Sequence, residues 1–369
     1  MPFDQGNITF RICSLPEPMP TDSIERFAEY AARALDEIKD EPQWGWVSPR
    51  HLLDSNISDE TIRAAGFYHL CLRQAERKIP SSLLTAECRM VELARMAEKG
   101  HERLGRKERK TIKEEVQQRL LPKMPPQISG MYFAIDCTEN LLYTSATSAN
   151  QLDMFLGFFK KSIGFEPLPY TPDVVAAERF ELDPASIPAL GISPDPDRAD
   201  ERPNGSLGEN FLTWLWFFQE ERGGVLPPTK IGEFSMMIEG PLVLVSDEDG
   251  AGAVESVIRK GLPTQSAEAK AALMVGKKLK RAKLILARNP GEEWAVTVDS
   301  DFVFRGLKMP EGEAMDPESI FEERMTNLFI FQTIFFNLYK RFLDEMTDSQ
   351  KAREYQENAK KWVANRRAL

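Results

Sequence analysis

The chain has 369 residues, 42% of them hydrophobic, and a formal net charge of −10. This length and apolar content predict a large buried core and allow two or three domains. The acidic balance argues against a protein whose whole surface is a polycation, so a nucleic-acid site would have to be built from local clusters of Lys and Arg.

Hydrophobic periodicity predicts a mixture of strands and helices in the first half of the chain. Strands are expected at residues 8–14 and 66–73, with a hairpin over 131–147. Helices are expected at residues 21–39 and 149–163, with a charged helical arm at about 82–122 that Gly100 and Gly105 interrupt.

A stretch rich in Pro and Asp at residues 184–203 has few apolar side chains, which predicts a linker or mobile loop. Beyond it we expect helices at 212–221, 265–278 and 317–346, and hairpins at 233–246 and 282–298. The predicted domains are an N-terminal α+β region (1–183), this linker, a second α+β region (204–312), and a C-terminal helix with a charged tail (313–369).

The cysteines and the lengths of the apolar stretches indicate in which compartment of the cell the protein is expected. The cysteines are scattered without a CxxC pair, which fits neither a disulfide framework nor a zinc site. The first residues lack the features of a signal peptide, and no stretch approaches the ~20 apolar residues that a bilayer requires. We therefore expect a soluble cytoplasmic protein with no membrane partner.

Two clusters of basic residues stand out in this acidic chain. Residues 103–123 hold eight Lys and Arg against three Glu, and residues 276–288 hold six with no acidic residue. Clustered cations bind duplex phosphates by releasing counterions, independently of base sequence. The alternative interpretation of each cluster is a solvated protein face.

Signals for catalysis are weak. Asp299 with Asp301, and Asp136 with Glu139, are carboxylate pairs that could hold Mg²⁺ for phosphodiester hydrolysis, but Asp is also common in turns. The glycines of residues 250–255 do not complete a dinucleotide-binding fingerprint. We expect no catalytic residue, no cofactor and no metal.

An ordered set of short motifs resembles the RdgC family. The motifs are Gly45-Trp46-Val47 with Pro49, Arg73 with Glu76-Arg77 and Ile79-Pro80, Lys113 with Glu115-Val116, Leu120-Leu121-Pro122-Lys123, Ile135-Asp136, and Lys160-Lys161-Ser162-Ile163-Gly164. Their order and spacing match over roughly residues 40–170. Weaker matches follow at Phe211-Leu212-Thr213, and from Gly276-Lys277 through Arg305-Gly306-Leu307-Lys308.

RdgC proteins form ring-shaped dimers whose basic-lined hole admits duplex DNA, and they restrain the strand-exchange protein RecA. The resemblance implies an α+β fold with antiparallel sheets, flanking helices and a helical arm, assembled as such a ring and associated with the nucleoid. An acidic exterior is compatible with a basic channel, because charges farther apart than a Debye length of ~8 Å are largely screened.

The resemblance also implies which side chains contact DNA. Basic residues of this chain fall where the family has Lys or Arg at Arg73, Arg77, Arg106, Arg109, Lys113, Lys123 and Lys277. Lys278, Lys280 and Arg281 are added from charge alone. The chain departs from the family at Met124-Pro125-Pro126, where well-known members carry a phenylalanine on a protruding finger, and it has a longer middle region and C-terminal helix.

Three functions follow as hypotheses. The first is a homodimeric ring that encloses duplex DNA, with single strands as a possible second ligand, and that restrains RecA without making or breaking a bond. The second is a metal-dependent nuclease, or an accessory to one, that uses the carboxylate pairs. The third is a protein scaffold without DNA binding, whose basic clusters pair with acidic segments such as residues 195–201 of a neighbouring subunit.

Overall fold

The structure is a computed structural model, and it describes residues 3–38, 41–100, 103–194, 205–246, 254–289 and 291–365. Within these residues twelve strands form one antiparallel sheet, and helices pack on both of its faces. The predicted α+β class with antiparallel pairing and a helical arm is therefore confirmed, whereas the ring-shaped dimer stays a prediction.

The strands are β1 (Ile8–Ser14), β2 (Gln43–Val47), β3 (Arg63–Ala64), β4 (Phe67–Arg77), β5 (Pro126–Asp136), β6 (Leu141–Thr144), β7 (Leu168–Pro169), β8 (Phe234–Val245), β9 (Glu255–Ile258), β10 (Lys278–Arg288), β11 (Glu292–Asp299) and β12 (Phe304–Lys308). The helices are α1 (Ser23–Glu29), α2 (Asp59–Ile62), α3 (Ser81–Lys99), α4 (Arg106–Leu120), α5 (Ala149–Ile163), α6 (Pro172–Phe180), α7 (Leu207–Arg222), α8 (Ala267–Met274), α9 (Pro317–Thr347) and α10 (Ser349–Asn365).

The first strand joins the two halves of the sheet. The order is β2-β4-β5-β6-β1-β12-β11-β10-β8-β9, with β3 paired to β4 and β7 paired to β1. The start of β1 pairs with β12, whereas Arg11–Ser14 pair with β6. The N-terminal strand β1 thus links the strands of the first half of the chain to the C-terminal strands β8–β12.

Two hydrophobic cores lie on opposite faces of the sheet. Leu142 and Tyr143 are neighbours on β6 but belong to different core clusters, as the alternation of side chains along a strand requires. Helices α7, α9 and α10 cover one face with an aromatic-rich layer, and α1 and α5 cover the other. This burial fixes the sheet from which the helical arm extends.

The predicted helix over residues 21–39 is wrong from Tyr30 to Ile38, and residue 39 lies outside the described part. The chain turns there because Ala31 bridges to Trp46 of β2, and the Ala32 N–H donates to the Trp46 carbonyl at 2.8 Å. Gly45 permits this approach, since a Cβ atom at that position would lie 2.3 Å from the Cα of Ala32. A tertiary contact therefore overrides the local helical spacing.

The predicted hairpin over residues 233–246 is also wrong. Strand β8 continues through Glu239 and pairs with β10 from Phe234 to Val245, with shifts of register on either side of Arg281. The Lys283 ammonium contacts the Glu239 carboxylate across this ladder at 2.9 Å. Pairing with β10 therefore keeps Glu239-Gly240 in the strand, although these two residue types are typical of a turn.

The predicted linker and the predicted charged tail both contain ordered segments where the structure describes them. Residues 184–194 of the predicted linker include the buried Ile187, Leu190 and Ile192, and residues 195–203 lie outside the described part. The predicted charged tail is largely α10, which buries residues at helical spacing. These are Ala352, Tyr355, Ala359 and Val363. Residues 366–369 are outside the described part.

Candidate nucleic-acid interface

The helical arm lies between the two longest paired strands of the N-terminal half. Strands β4 and β5 pair from Phe67 opposite Asp136 to Arg77 opposite Pro126, and the arm occupies the residues between these ends. Helix α3 ends at Gly100 with a left-handed conformation, and α4 begins after Gly105, whose N–H donates to Glu108 at 3.1 Å. The arm is therefore a helical hairpin at one end of the β4–β5 ladder.

A small core and three ion pairs hold the two helices of the arm together. Ile112, Val116 and Leu120 of α4 are buried in a cluster that includes Leu84, Cys88 and Val91 of α3. Ion pairs between the helices are Arg95–Glu115 (2.5 Å), Lys99–Glu108 (2.6 Å) and Arg119–Glu87 (2.5 Å). Two of these pairs use cations of α3 and carboxylates of α4, and the third uses Arg119 of α4.

Another side of α4 carries three exposed cations. Arg106, Arg109 and Lys113 are exposed, and none of them forms an ion pair with the part of the chain that the structure describes. Their spacing of three and four residues places them along one face of the helix. We call these three residues the α4 stripe. Seven residues of α-helix rise ~10.5 Å, so the stripe could face consecutive phosphates of one DNA strand.

Lys123 is exposed just past α4, in a short 3-10 turn that leads into β5. It forms no ion pair within the described residues. Met124-Pro125-Pro126, the departure from the RdgC pattern, follows directly, and β5 begins at Pro126. Lys123 therefore joins the α4 stripe as an available cation, on the same arm.

Two arginines predicted to contact DNA are engaged inside the protein. Arg73 is only 4% exposed, and its guanidinium donates to the carbonyls of Arg33 and, at 3.3 Å, of Leu52. Arg77 is half-buried and donates to the carbonyl of Ile38 at 3.0 Å and to that of Met124. In this arrangement Arg73 cannot reach a phosphate, and Arg77 braces the root of the arm.

Most of the second basic cluster is held in contacts with residues from elsewhere in the chain. Lys277 and Lys278 are buried, and their ammonium groups donate to Ser256 at 2.8 Å and Asn210 at 2.5 Å. Arg281 pairs with Asp299. Of the four residues predicted in this cluster, Lys280 is the one that is exposed without an ion pair in the described structure. The six positive charges of residues 276–288 therefore do not form a basic surface.

The carboxylates considered for metal binding are occupied by other contacts. Asp299 accepts from Arg281 and, at 2.7 Å, from Arg305, while Asp301 contacts Arg11 at 2.5 Å. Bonding to Asp299 raises the pKa of the Arg281 guanidinium. Asp136 accepts the N–H groups of the turn after β5. Within the described ranges, no three His, Cys, Asp or Glu residues are grouped so as to hold a metal ion.

Arg11 and Arg305 form part of this ion-pair network, and sequence reasoning missed both. They are brought together by the pairing of β1 with β12, whose residues lie almost the whole chain apart. No local signal in the sequence identifies such a contact. The network joins both halves of the sheet through paired charges, which suits a structural role better than binding of phosphate.

Among the described residues, no helix is both long enough and apolar enough to span a membrane.

Comparison with known proteins gives a family match for part of the chain. Residues 18–178 match the family model described as "Putative exonuclease, RdgC". The α4 stripe and Lys123 lie inside the matched region. The resemblance to the RdgC family that the motifs predicted is therefore confirmed over these residues.

Curated relatives also match only part of the chain. The "Recombination-associated protein RdgC" of Aeromonas hydrophila is 29% identical over 153 residues, which cover 42% of this chain and 49% of the relative. The proteins of that name from Serratia proteamaculans and Yersinia enterocolitica are each 28% identical over 130 residues, 35% of this chain and 42% of theirs. The match thus spans about half the length of these relatives or less.

Proposed function

We propose that this chain, an RdgC-family protein over residues 18–178, is a recombination-associated protein that binds duplex DNA through the phosphates, without sequence preference. The α4 stripe and Lys123 are the proposed contacts. The relatives' name, which associates them with recombination, supports a role in that process. The proposed location is the nucleoid.

The observation that carries this proposal is the exposed, unpaired charge of the α4 stripe in an acidic protein. Several other cations of the same arm, such as Arg95 and Lys99, are paired with carboxylates. Three unpaired cations on one rigid helix repel one another, and a phosphate backbone relieves that repulsion while releasing counterions. Contacts of this kind carry no information about base sequence.

The mechanism would be steric and electrostatic. In the proposed assembly, two copies enclose the duplex in a ring and the arm helices turn their unpaired cations toward it. A duplex occupied in this way is less accessible to RecA, so the protein would restrain strand exchange without chemistry. Arg77 contributes indirectly, since it binds the Met124 carbonyl and so fixes the chain just after the arm to the end of β4.

A nuclease is the second candidate, because the description of the matching family model names an exonuclease. The carboxylates that the sequence offers for this role weigh against it. Asp299 and Asp301 contact arginines, and Mg²⁺ would have to displace those contacts before it could bind. A pure scaffold is disfavoured by the unpaired cations of the α4 stripe.

The test is binding of a labelled duplex in two unrelated sequences, with EDTA and with Mg²⁺ in parallel. The stripe variant is Arg106→Ala/Arg109→Ala/Lys113→Ala, and the control variant replaces three exposed lysines that already have ion pairs. The control positions are Lys160, Lys340 and Lys351. Both variants change the net charge equally.

The proposal expects equal affinity for both duplexes, intact DNA with Mg²⁺, and weaker binding by the stripe variant alone. Equal weakening in both variants would mean that only overall charge matters and would contradict the proposed site. Cleavage that requires Mg²⁺ and is lost in Asp299→Asn would replace the proposal with the nuclease.

A further inference from the structure

A groove lies between α9 and the segment that joins α7 to β8. Its volume is about 320 Å³, which is at the lower end of the range for pockets that bind small molecules. Most of its lining is apolar and comes from Ile334 and Leu338 of α9 and from Leu226, Pro227 and Pro228 of the joining segment. We call this cavity the α9 groove.

Both sides of the α9 groove are fixed by the fold. The Leu226 N–H donates to the Phe234 carbonyl at 3.0 Å, and the backbones of Thr229 and Gly232 bond to each other at 3.0 and 3.2 Å. The two prolines between these anchors restrict the backbone further. On the other side, Ile334 belongs to the main hydrophobic core. The groove is therefore preformed, and a ligand would not have to order it.

Three charged side chains line the α9 groove together with this apolar surface. They are Lys340, Arg341 and Asp344, all on α9. The Lys340 ammonium contacts the Asp344 carboxylate at 2.6 Å, so these two charges largely cancel. Asp344 is thereby occupied, which disfavours a ligand with an ammonium group. The remaining lining charge is the guanidinium of Arg341.

The charge of Arg341 is only partly balanced within the chain. Its Nε atom contacts Glu345 at 3.3 Å, but the same carboxylate also contacts Arg222 at 2.6 Å and accepts from the Trp214 indole at 3.1 Å. One carboxylate thus serves two guanidinium groups, which leaves one positive charge in excess. This excess lies at the edge of an apolar cavity.

The guanidinium of Arg341 is held in position but keeps free donors. It lies over the Phe218 ring at 4.8 Å from the centroid, and its side chain is 32% exposed. Its two terminal nitrogens have no hydrogen-bond partner in the part of the chain that the structure describes. A guanidinium with free terminal N–H groups matches the two oxygens of a carboxylate.

From these observations we infer that the α9 groove binds a small carboxylic acid with a compact apolar body. The carboxylate would pair with Arg341, and the apolar body would lie against Leu338 and the prolines. A pocket that is mostly apolar, with a few polar groups that orient the ligand, is typical of small-molecule sites. This site is separate from the α4 stripe and requires no DNA, so the inference goes beyond the proposed function.

The test is a titration of the full chain, without DNA, with phenylacetate and with its uncharged analogue phenylacetamide. Saturation-transfer NMR of the small molecule measures both affinities. The two probes share the same apolar ring, so the carboxylate makes the difference between them. We expect phenylacetate to bind about tenfold more tightly, because a hydrogen bond between charged groups is stronger than one to an amide. Equal affinities, or no saturable binding of phenylacetate, would overturn the inference.

Substitutions of Arg341 test whether it selects the carboxylate. Arg341→Gln should bind the acid and the amide equally, whereas Arg341→Lys should keep a preference for the acid because it keeps the charge. The control is Arg179→Gln, which removes an arginine that also lies over an aromatic ring of α9, that of Phe336 at 5.0 Å, but does not line the groove. An undiminished preference in Arg341→Gln, or the same loss in Arg179→Gln, would overturn the role of Arg341.

The location and the ligand class have tests of their own. Asn337 is exposed and lines the α9 groove, so Asn337→Trp should fill it and weaken the binding of both probes. Unchanged binding by Asn337→Trp, with a thermal melt like that of the wild type, would overturn the location. Triglycylphenylalanine carries the same ring and a free carboxylate on a longer chain. Tighter binding of this peptide than of phenylacetate would overturn the small-molecule assignment, since the groove would then hold the carboxyl end of a protein.

Discussion

His69 couples the stability of this protein to pH. The imidazole on β4 is 4% exposed, stacks on Phe321 of α9 with ring centroids 4.7 Å apart, and meets the edge of Phe3 at 6.1 Å. Its Nε2 atom is buried and makes no hydrogen bond within the described residues. Burial lowers the pKa of His69 from 6.5 to about 3, because the charged ring would lose its hydration.

The direction of the pH effect follows from this shift. In the unfolded chain the imidazole has its ordinary pKa and takes up a proton first, so the unfolded state is favoured as the pH falls below about 6.5. The stability that neutral His69 permits is present in full above that pH. It is lost at about 1.4 kcal/mol per pH unit down to the folded pKa, and the loss at pH 5 is about 2 kcal/mol.

Replacement of His69 by Phe should remove this dependence while keeping an aromatic ring against Phe321. We expect the free energy of unfolding to fall by about 2 kcal/mol more in the wild type than in His69→Phe between pH 8 and pH 5. Urea denaturation at several pH values measures it, and comparison between variants cancels the titration of the carboxylates. His51→Gln, at an exposed histidine, is the control. Parallel pH profiles for wild type and His69→Phe would refute the reasoning.

Two further substitutions test the packing and the ion-pair network. Gly45→Ala should destabilise the fold by about 2 kcal/mol, because the added Cβ would lie 2.3 Å from the Cα of Ala32; an unchanged urea midpoint would contradict this. Asp299→Asn should cost about 1–2 kcal/mol, discounted because Arg281 and Arg305 are each 39% exposed. A thermal melt of Asp299→Asn equal to that of the wild type would show that the network contributes nothing.

Much of the local structure could be predicted from the sequence, because the information is local. Strand β1 and helix α5 have the predicted bounds, and the arm is broken at the predicted glycines. The errors lie where distant residues compete with local preference. Trp46 ends the first helix by pairing with residue 31, and β10 keeps Glu239 in a strand.

The candidate site could be predicted only in part, for the same reason. The α4 stripe could be predicted because its three cations lie on one helix. The carboxylates near them lie on the same helix or on the adjacent α3, so no distant part of the chain decides their charge. The charge of β10 is misleading, since its neutralising partners Glu239 and Asp299 come from other strands of the sheet. The burial of Arg73 could not be predicted either, because it depends on the carbonyls of loops before and after β2.

The salt dependence of duplex binding tests the central claim most directly. Each phosphate contact contributes about −0.9 to the slope of log affinity against log salt concentration, so loss of three contacts should make the slope of the stripe variant shallower by about 2.7 per protomer. The control variant of equal net charge should keep the wild-type slope. If the stripe variant binds with the wild-type slope, the α4 stripe does not contact DNA and the account is contradicted.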